Sequence, residues 1–112
     1  MKYQKLLSPG RIGTLELKNR AIMAPMSAAL ANPDGTISDP LIAYLKARAD
    51  GGIGLIITEY AFVNEEGRSS DHQISVANDG MIPGLTKLAD AIHAAGAKIC
   101  LQLQHGGRRS IV

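Results

Sequence analysis

Hydrophobic and polar positions change their period several times along the chain, and each change marks a new element. Residues 11 to 18, Arg-Ile-Gly-Thr-Leu-Glu-Leu-Lys, set Gly13-Thr14 between two short alternating stretches, the pattern of a β-hairpin. Ala21-Ile22-Met23-Ala24-Pro25-Met26 is apolar without sustained alternation, as in a strand covered on both faces, and Pro25, which has no N–H, ends its ladder. Asn32-Pro33-Asp34-Gly35 is a turn, and Ser38 or Asp39 ahead of Pro40 provides an N-cap and first helical turn. Leu41, Ile42, Leu45 and Ala49 then keep helical spacing, with Lys46, Arg48 and Asp50 towards solvent and Gly51-Gly52 as the stop.

The short β-branched run Ile53-Gly54-Leu55-Ile56-Ile57-Thr58-Glu59 predicts a second buried strand. Residues 64 to 80 read as a long polar loop without structure of its own. A second helix begins near Pro83, carries Leu85, Leu88, Ala89, Ile92 and Ala95 as its apolar stripe and closes at Gly96. Lys98 to Gln104 is a third strand, and His105-Gly106-Gly107-Arg108 turns away from it.

The order is hairpin, β, α, β, α, β, which builds a parallel α/β sheet with right-handed crossovers. An open doubly wound sheet would carry a glycine-rich turn after its first strand, where this chain has Pro-Met-Ser. Alternation in the third strand puts Ile99, Leu101 and Leu103 on one face and Cys100, Gln102 and Gln104 on the other. Apolar outward and polar inward suits a (β/α)8 TIM barrel with helices outside and a ligand-bearing mouth. Such a barrel takes about 250 residues and eight βα units. The 112 residues therefore predict its N-terminal portion, about three strands preceded by a short β-hairpin, as a piece of a larger protein.

Composition narrows the partners. With 46% hydrophobic and 20% charged residues, disorder is excluded, and the single cysteine, Cys100, makes neither a disulfide nor a zinc cluster within the chain. Seven Lys/Arg against four Asp/Glu in residues 1 to 56, and five against six beyond, make no basic face, and three Tyr, one Phe and no Trp leave little to stack on bases. Nucleic acid is not expected as a partner. No apolar run reaches the ~20 residues of a bilayer span and no signal peptide is visible, so neither a membrane nor export is expected, and the location is taken as cytoplasmic.

Ligands of α/β sheets sit beyond the carboxyl ends of the strands, here Pro25 to Ala28, Glu59 to Phe62 and Gln102 to Arg108. Ser27 reads either as a hydroxyl for a bound carbonyl or ring nitrogen or as a turn hydroxyl bonding its own backbone. Gln102, a primary amide in a buried strand, serves a polar planar ligand or a core network equally well. His105 has no second histidine or cysteine at metal-ligand spacing, so no metal is expected, and a loop histidine capped by backbone is its plainer use. Arg108 could reach back to a carboxylate or phosphate, or be a solvated pair with Arg109. Glu59 is a base or, more commonly, one half of an ion pair, and Cys100 reads as a small buried hydrophobe. No catalytic residue is assigned.

Three stretches carry a resemblance: Leu15-Glu16-Leu17-Lys18-Asn19-Arg20 running into Met23-Ala24-Pro25-Met26-Ser27, Arg48-Ala49-Asp50-Gly51-Gly52-Ile53-Gly54-Leu55-Ile56-Ile57-Thr58-Glu59, and Leu101-Gln102-Leu103-Gln104-His105-Gly106-Gly107-Arg108. In these the chain resembles the Old Yellow Enzyme family of NAD(P)H:flavin oxidoreductases, specifically its 2,4-dienoyl-CoA reductase and 2-enoate reductase branch. The resemblance implies that residues 1–112 are the N-terminal part of an FMN-binding TIM-barrel domain. It implies that Pro25, Met26 and Ser27 line the flavin, that Gln102 bonds its polar edge, and that position 60, usually small, meets the ring through its backbone. Tyr60 departs from that pattern. His105 and Arg108 lie in a motif of the branch without a uniform role. The implied activity is reduction of activated C=C bonds in α,β-unsaturated acids, thioesters or ketones, with NADH or NADPH as hydride donor. A 4Fe–4S cluster and FAD would belong to a region after Val112, and a homo-oligomer is left open. Other readings also stay open: a catalytically silent fragment, a half-barrel interaction module, or an FMN dehydrogenase for amines or steroids.

Overall fold

The computed structural model describes residues 2–112. A helical turn, α1 (Gln4–Leu7), precedes strands β1 (Gly10–Ile12), β2 (Leu15–Leu17) and β3 (Ile22–Met23); helix α2 (Asp39–Asp50), strands β4 (Leu55–Phe62) and β5 (Ile74–Ser75), helix α3 (Ile82–Ala94) and strand β6 (Lys98–Gln104) follow. The expected hairpin is present, with Gly10 opposite Leu17 and Ile12 opposite Leu15 around Gly13-Thr14. The pattern of the sequence does not announce α1.

β4 is the axis of the main sheet. β6 pairs with it in parallel from Leu55–Lys98 to Phe62–Gln104 and so occupies one whole edge. β3, at Leu55 and Ile56, and β5, at Ala61 and Phe62, therefore share the other edge. Leu41, Leu45 and Ala49 of α2 and Leu88 and Ile92 of α3 form one buried cluster with Ile56, Ala61 and Ile74. Ser38 settles the N-cap of α2: its Oγ accepts from Leu41 N–H at 3.1 Å and donates to the Leu30 carbonyl. The helix stops hold at Gly52, φ +104°, and Gly96, φ +83°.

Three expectations need correction. The strand expected over residues 21 to 26 pairs only at Ile22 and Met23, because Pro25 offers no donor and the chain leaves β4 ahead of it. Residues 64 to 80 are not a bare loop: they hold 3-10 turns at Glu65–Gly67 and Asp79–Met81 and, between them, β5, whose Ile74 is fully buried. That strand is too short for its alternation to stand out among polar neighbours. In β6, Ile99 and Leu101 pack against the helical layer as expected, but Leu103 is 63% exposed, because no described helix reaches it.

Candidate functional site

The parallel strands deliver three chain segments to one end of the sheet. β3 ends at Met23, and Pro25, Met26 and Ser27 follow it, Pro25 half-buried, Met26 70% exposed and Ser27 exposed. Tyr60 stands near the carboxyl end of β4 and Gln102 near that of β6, and these two are direct register partners. Residues opposite one another in a parallel pair project to the same face, so Tyr60 and Gln102 present their side chains on one face of the sheet.

A β-bulge creates this alignment. The register shifts between Ile57, opposite Cys100, and Tyr60, opposite Gln102, leaving Thr58 and Glu59 against Leu101 alone. Thr58 Oγ1 accepts from Gln102 N–H at 3.2 Å and so supplies the acceptor that the interrupted ladder withholds.

Glu59, 3% exposed, makes no ion pair among the described residues, contrary to its expected use. One carboxylate oxygen, Oε2, accepts from the backbone N–H of Ala28 at 2.6 Å, and the other, Oε1, is buried without a partner among the described residues. An unsatisfied buried acceptor costs ~1–3 kcal/mol. The bond runs between the residue after Ser27 and the residue before Tyr60, so it ties the loop leaving β3 to the bulge in β4. The Ala28–Glu59 bond thus links the segment that carries Ser27 to the strand that carries Tyr60, which is in register with Gln102.

The other two glutamines nearby are used differently. Ser69 N–H donates to Gln73 Oε1 at 2.7 Å, Gln73 Nε2 to Gln104 Oε1 at 2.8 Å, and Gln104 Nε2 to Ser69 Oγ at 3.0 Å, a closed ring that fastens the segment before β5 to the end of β6. Gln102 has its side chain exposed and, among the described residues, makes no hydrogen bond with it, while its backbone N–H donates to Thr58. Tyr60 Oη and Ser70 Oγ stand 3.3 Å apart, which leashes the phenol to that same segment. Sequence reasoning missed Ser69, Gln73 and Thr58; the sole signal for Gln73 was the Ile74-Ser75-Val76 alternation that follows it.

His105 Nδ1 accepts from Gly107 N–H at 3.0 Å, the backbone-capped arrangement, and Arg108 and Arg109 are exposed and outside the two ion pairs of the described residues. Arg68 is the cation that does tie segments together, donating to the carbonyls of Ser70, Asp71 and Pro33. Cys100 is exposed rather than buried, two residues from Gln102 and on its side of β6. An apolar cavity of about 200 Å³ lined by Thr58, Leu85, Leu88, Ala89, Ile99 and Leu101 lies on the opposite, helix-facing side and so takes no part in this site. Among the described residues no cluster of His, Cys, Asp or Glu could hold a metal ion, and no helix is long and apolar enough to cross a membrane.

Comparison with known proteins gives the arrangement a context. The profile of the NADH:flavin oxidoreductase / NADH oxidase family matches residues 5–112. An NADH oxidase of Thermoanaerobacter brockii is 44% identical over 109 residues, 96% of this chain and 17% of that protein. Among solved structures, a 2-naphthoyl-CoA reductase in complex with 2-naphthoyl-CoA superposes with a TM-score of 0.92 at 34% identity, covering 96% of this chain and 16% of that one. Morphinone reductase in complex with tetrahydroNAD gives 0.86 at 34% identity, covering 94% and 28%. The chain thus spans between about a sixth and just over a quarter of these proteins, and β3, β4 and β6 are three parallel strands of a (β/α)8 barrel.

Proposed function

Because the chain belongs to the NADH:flavin oxidoreductase / NADH oxidase family, we propose that it is the N-terminal part of an FMN-binding barrel domain whose whole protein reduces activated C=C bonds with NADH or NADPH. What supports this reading is that Ser27, Tyr60 and Gln102 all stand at or just beyond the carboxyl ends of parallel strands, with the Gln102 carboxamide unbonded among the described residues. Barrels bind their ligands at that end.

The residues fit a flavin's needs. A planar ring with alternating donors and acceptors along one edge is matched by a primary amide, which offers both, and Gln102 is the glutamine of this region left out of the bonded ring. Pro25 and Met26 supply apolar surface for the body of the ring, and the Ser27 hydroxyl donates or accepts at its edge. Tyr60 meets the same place through its backbone and, at a position where the family resemblance implies a small residue, adds a phenol held at Ser70. FMN, when bound, supplies hydride transfer between the nicotinamide donor and the unsaturated substrate. The protein's own part is to bind and orient at Pro25, Met26, Ser27, Tyr60 and Gln102.

A relative in complex with tetrahydroNAD supports a nicotinamide donor, and one in complex with 2-naphthoyl-CoA supports an unsaturated thioester as substrate. The test is made in the whole protein. Wild type is expected to purify with FMN and to oxidise NADH or NADPH in the presence of an α,β-unsaturated thioester, acid or ketone. Gln102→Ala should lose FMN on gel filtration; undiminished flavin content in that variant would count against the contact. Activity with an amine or steroid donor but no alkene would favour the dehydrogenase reading instead.

A further inference from the structure

The buried carboxylate of Glu59 has no use in the proposed chemistry, yet its burial with one oxygen unpartnered is unfavourable. No cation approaches it among the described residues, and packing alone would be better met by an apolar side chain. What an oxygen acceptor at this position provides is the 2.6 Å bond from Ala28 N–H. That amide belongs to a segment outside any ladder, between the end of β3 and Ala29, a non-glycine residue at φ +53°. A lone residue in the left-handed region persists only where its surroundings hold it.

We infer that Glu59 is a positioning residue: its carboxylate latches the Pro25–Ala28 segment to the bulge of β4 and so fixes Ser27 beside Tyr60 and Gln102. The latch itself is independent of any cofactor; its consequence for FMN rests on the function proposed above. Ser27 and Tyr60 each neighbour one partner of the bond, so loss of the bond frees Ser27 from the strand that carries Tyr60. The side chain touches no substrate in this scheme and acts only through the backbone of Ala28.

The test compares Glu59→Gln and Glu59→Ala in the whole protein by amide hydrogen exchange resolved to residues 24–31, with the amides of α3 as control. A carboxamide oxygen still accepts from Ala28 N–H; a methyl group cannot. Glu59→Ala should speed exchange at Ala28 at least ten-fold with α3 unchanged, and Glu59→Gln should restore protection to within about three-fold of wild type. Unchanged exchange at Ala28 in Glu59→Ala overturns the latch. Should the alanine variant also lose protection in α3, the glutamine variant decides: restored protection supports the latch, and a loss as large as with alanine overturns it. In the FMN-loaded protein, Glu59→Ala should shift the flavin midpoint potential in the same direction as Ser27→Ala, and the double variant should match Ser27→Ala alone. Additive shifts would overturn the link through Ser27. A protein that binds no flavin would remove the proposed function while the exchange measurement still decides the latch.

Discussion

At Gly35 a methyl group would stand 2.5 Å from Ser75 Cβ, and the backbone sits at φ +85°, so two independent penalties meet at one residue. Gly35→Ala is expected to destabilise the fold by about 1–3 kcal/mol, read from the midpoint of urea unfolding. Asp34, beside it, accepts from the Thr36 hydroxyl at 2.6 Å and the Thr36 N–H at 3.0 Å, which holds its carboxyl below the ordinary 3.8. Asp39 is held below 3.8 by the Lys87 ammonium, 2.7 Å away. Lower values in the folded state mean that the stabilisation is complete above the unfolded value and is lost as pH falls through the folded values. Both groups are fully exposed, so the effect is small. Asp34→Asn should therefore melt slightly below wild type near pH 6 and converge with it as the pH is taken well below 3.8.

The joints between elements explain why the recognisable motifs recur where they do. Asn19 Nδ2 donates to the Gly52 carbonyl at 2.7 Å, its Oδ1 accepts from Ala21 N–H at 3.1 Å, and a Cβ on Gly54 would meet that Oδ1 at 2.6 Å. The Leu-Lys-Asn-Arg and Gly-Gly-Ile-Gly stretches are thus two halves of one joint that sets β3 against β4. The Ser69–Gln73–Gln104 ring is the corresponding joint at the other end of the sheet. Gln73→Leu, which keeps bulk and removes both hydrogen bonds of the carboxamide, should release β5: the amides of Ser75 and Val76, bonded to Gly35 and Phe62, are expected to exchange at least ten-fold faster, while those of α2 stay protected.

The assembled chain is looser than its length requires. Its radius of gyration is 15.0 Å, against about 13 Å for a compact domain of this size, and its accessible surface is 6699 Å², against about 5,900 Å². Leu103 and Met26 stand largely exposed, and β6 pairs on one edge only among the described strands. An unpaired strand edge carrying exposed apolar side chains recruits other strands. The 112-residue chain by itself is expected to associate with concentration in analytical ultracentrifugation, and Leu103→Lys should shift it towards monomer. A monomeric wild type at high concentration would contradict this, and a soluble, specific dimer would favour the half-barrel interaction reading.

Much of this was legible in the residues themselves, because helix and strand periods, the Ser38–Pro40 cap, the glycine stops and the Gly13-Thr14 turn act over a few neighbouring positions. The βαβ order followed from those local signals, whereas the roles suggested for Ser27 and Gln102 came from the family resemblance, since spacing alone left each between a ligand contact and a structural use. The bulge that aligns Tyr60 with Gln102, the Ala28–Glu59 bond, the glutamine ring and the burial of Ile74 were not legible. The Ala28–Glu59 and Gln73–Gln104 bonds join positions about 30 residues apart, the bulge is a compromise of register between two strands, and Ile74 is buried by a two-residue strand pairing with β4, so none leaves a mark on local spacing. A buried Glu59 and an exposed Cys100 reverse what their types suggest alone, since folding decides which side of a strand meets helices and which stays open.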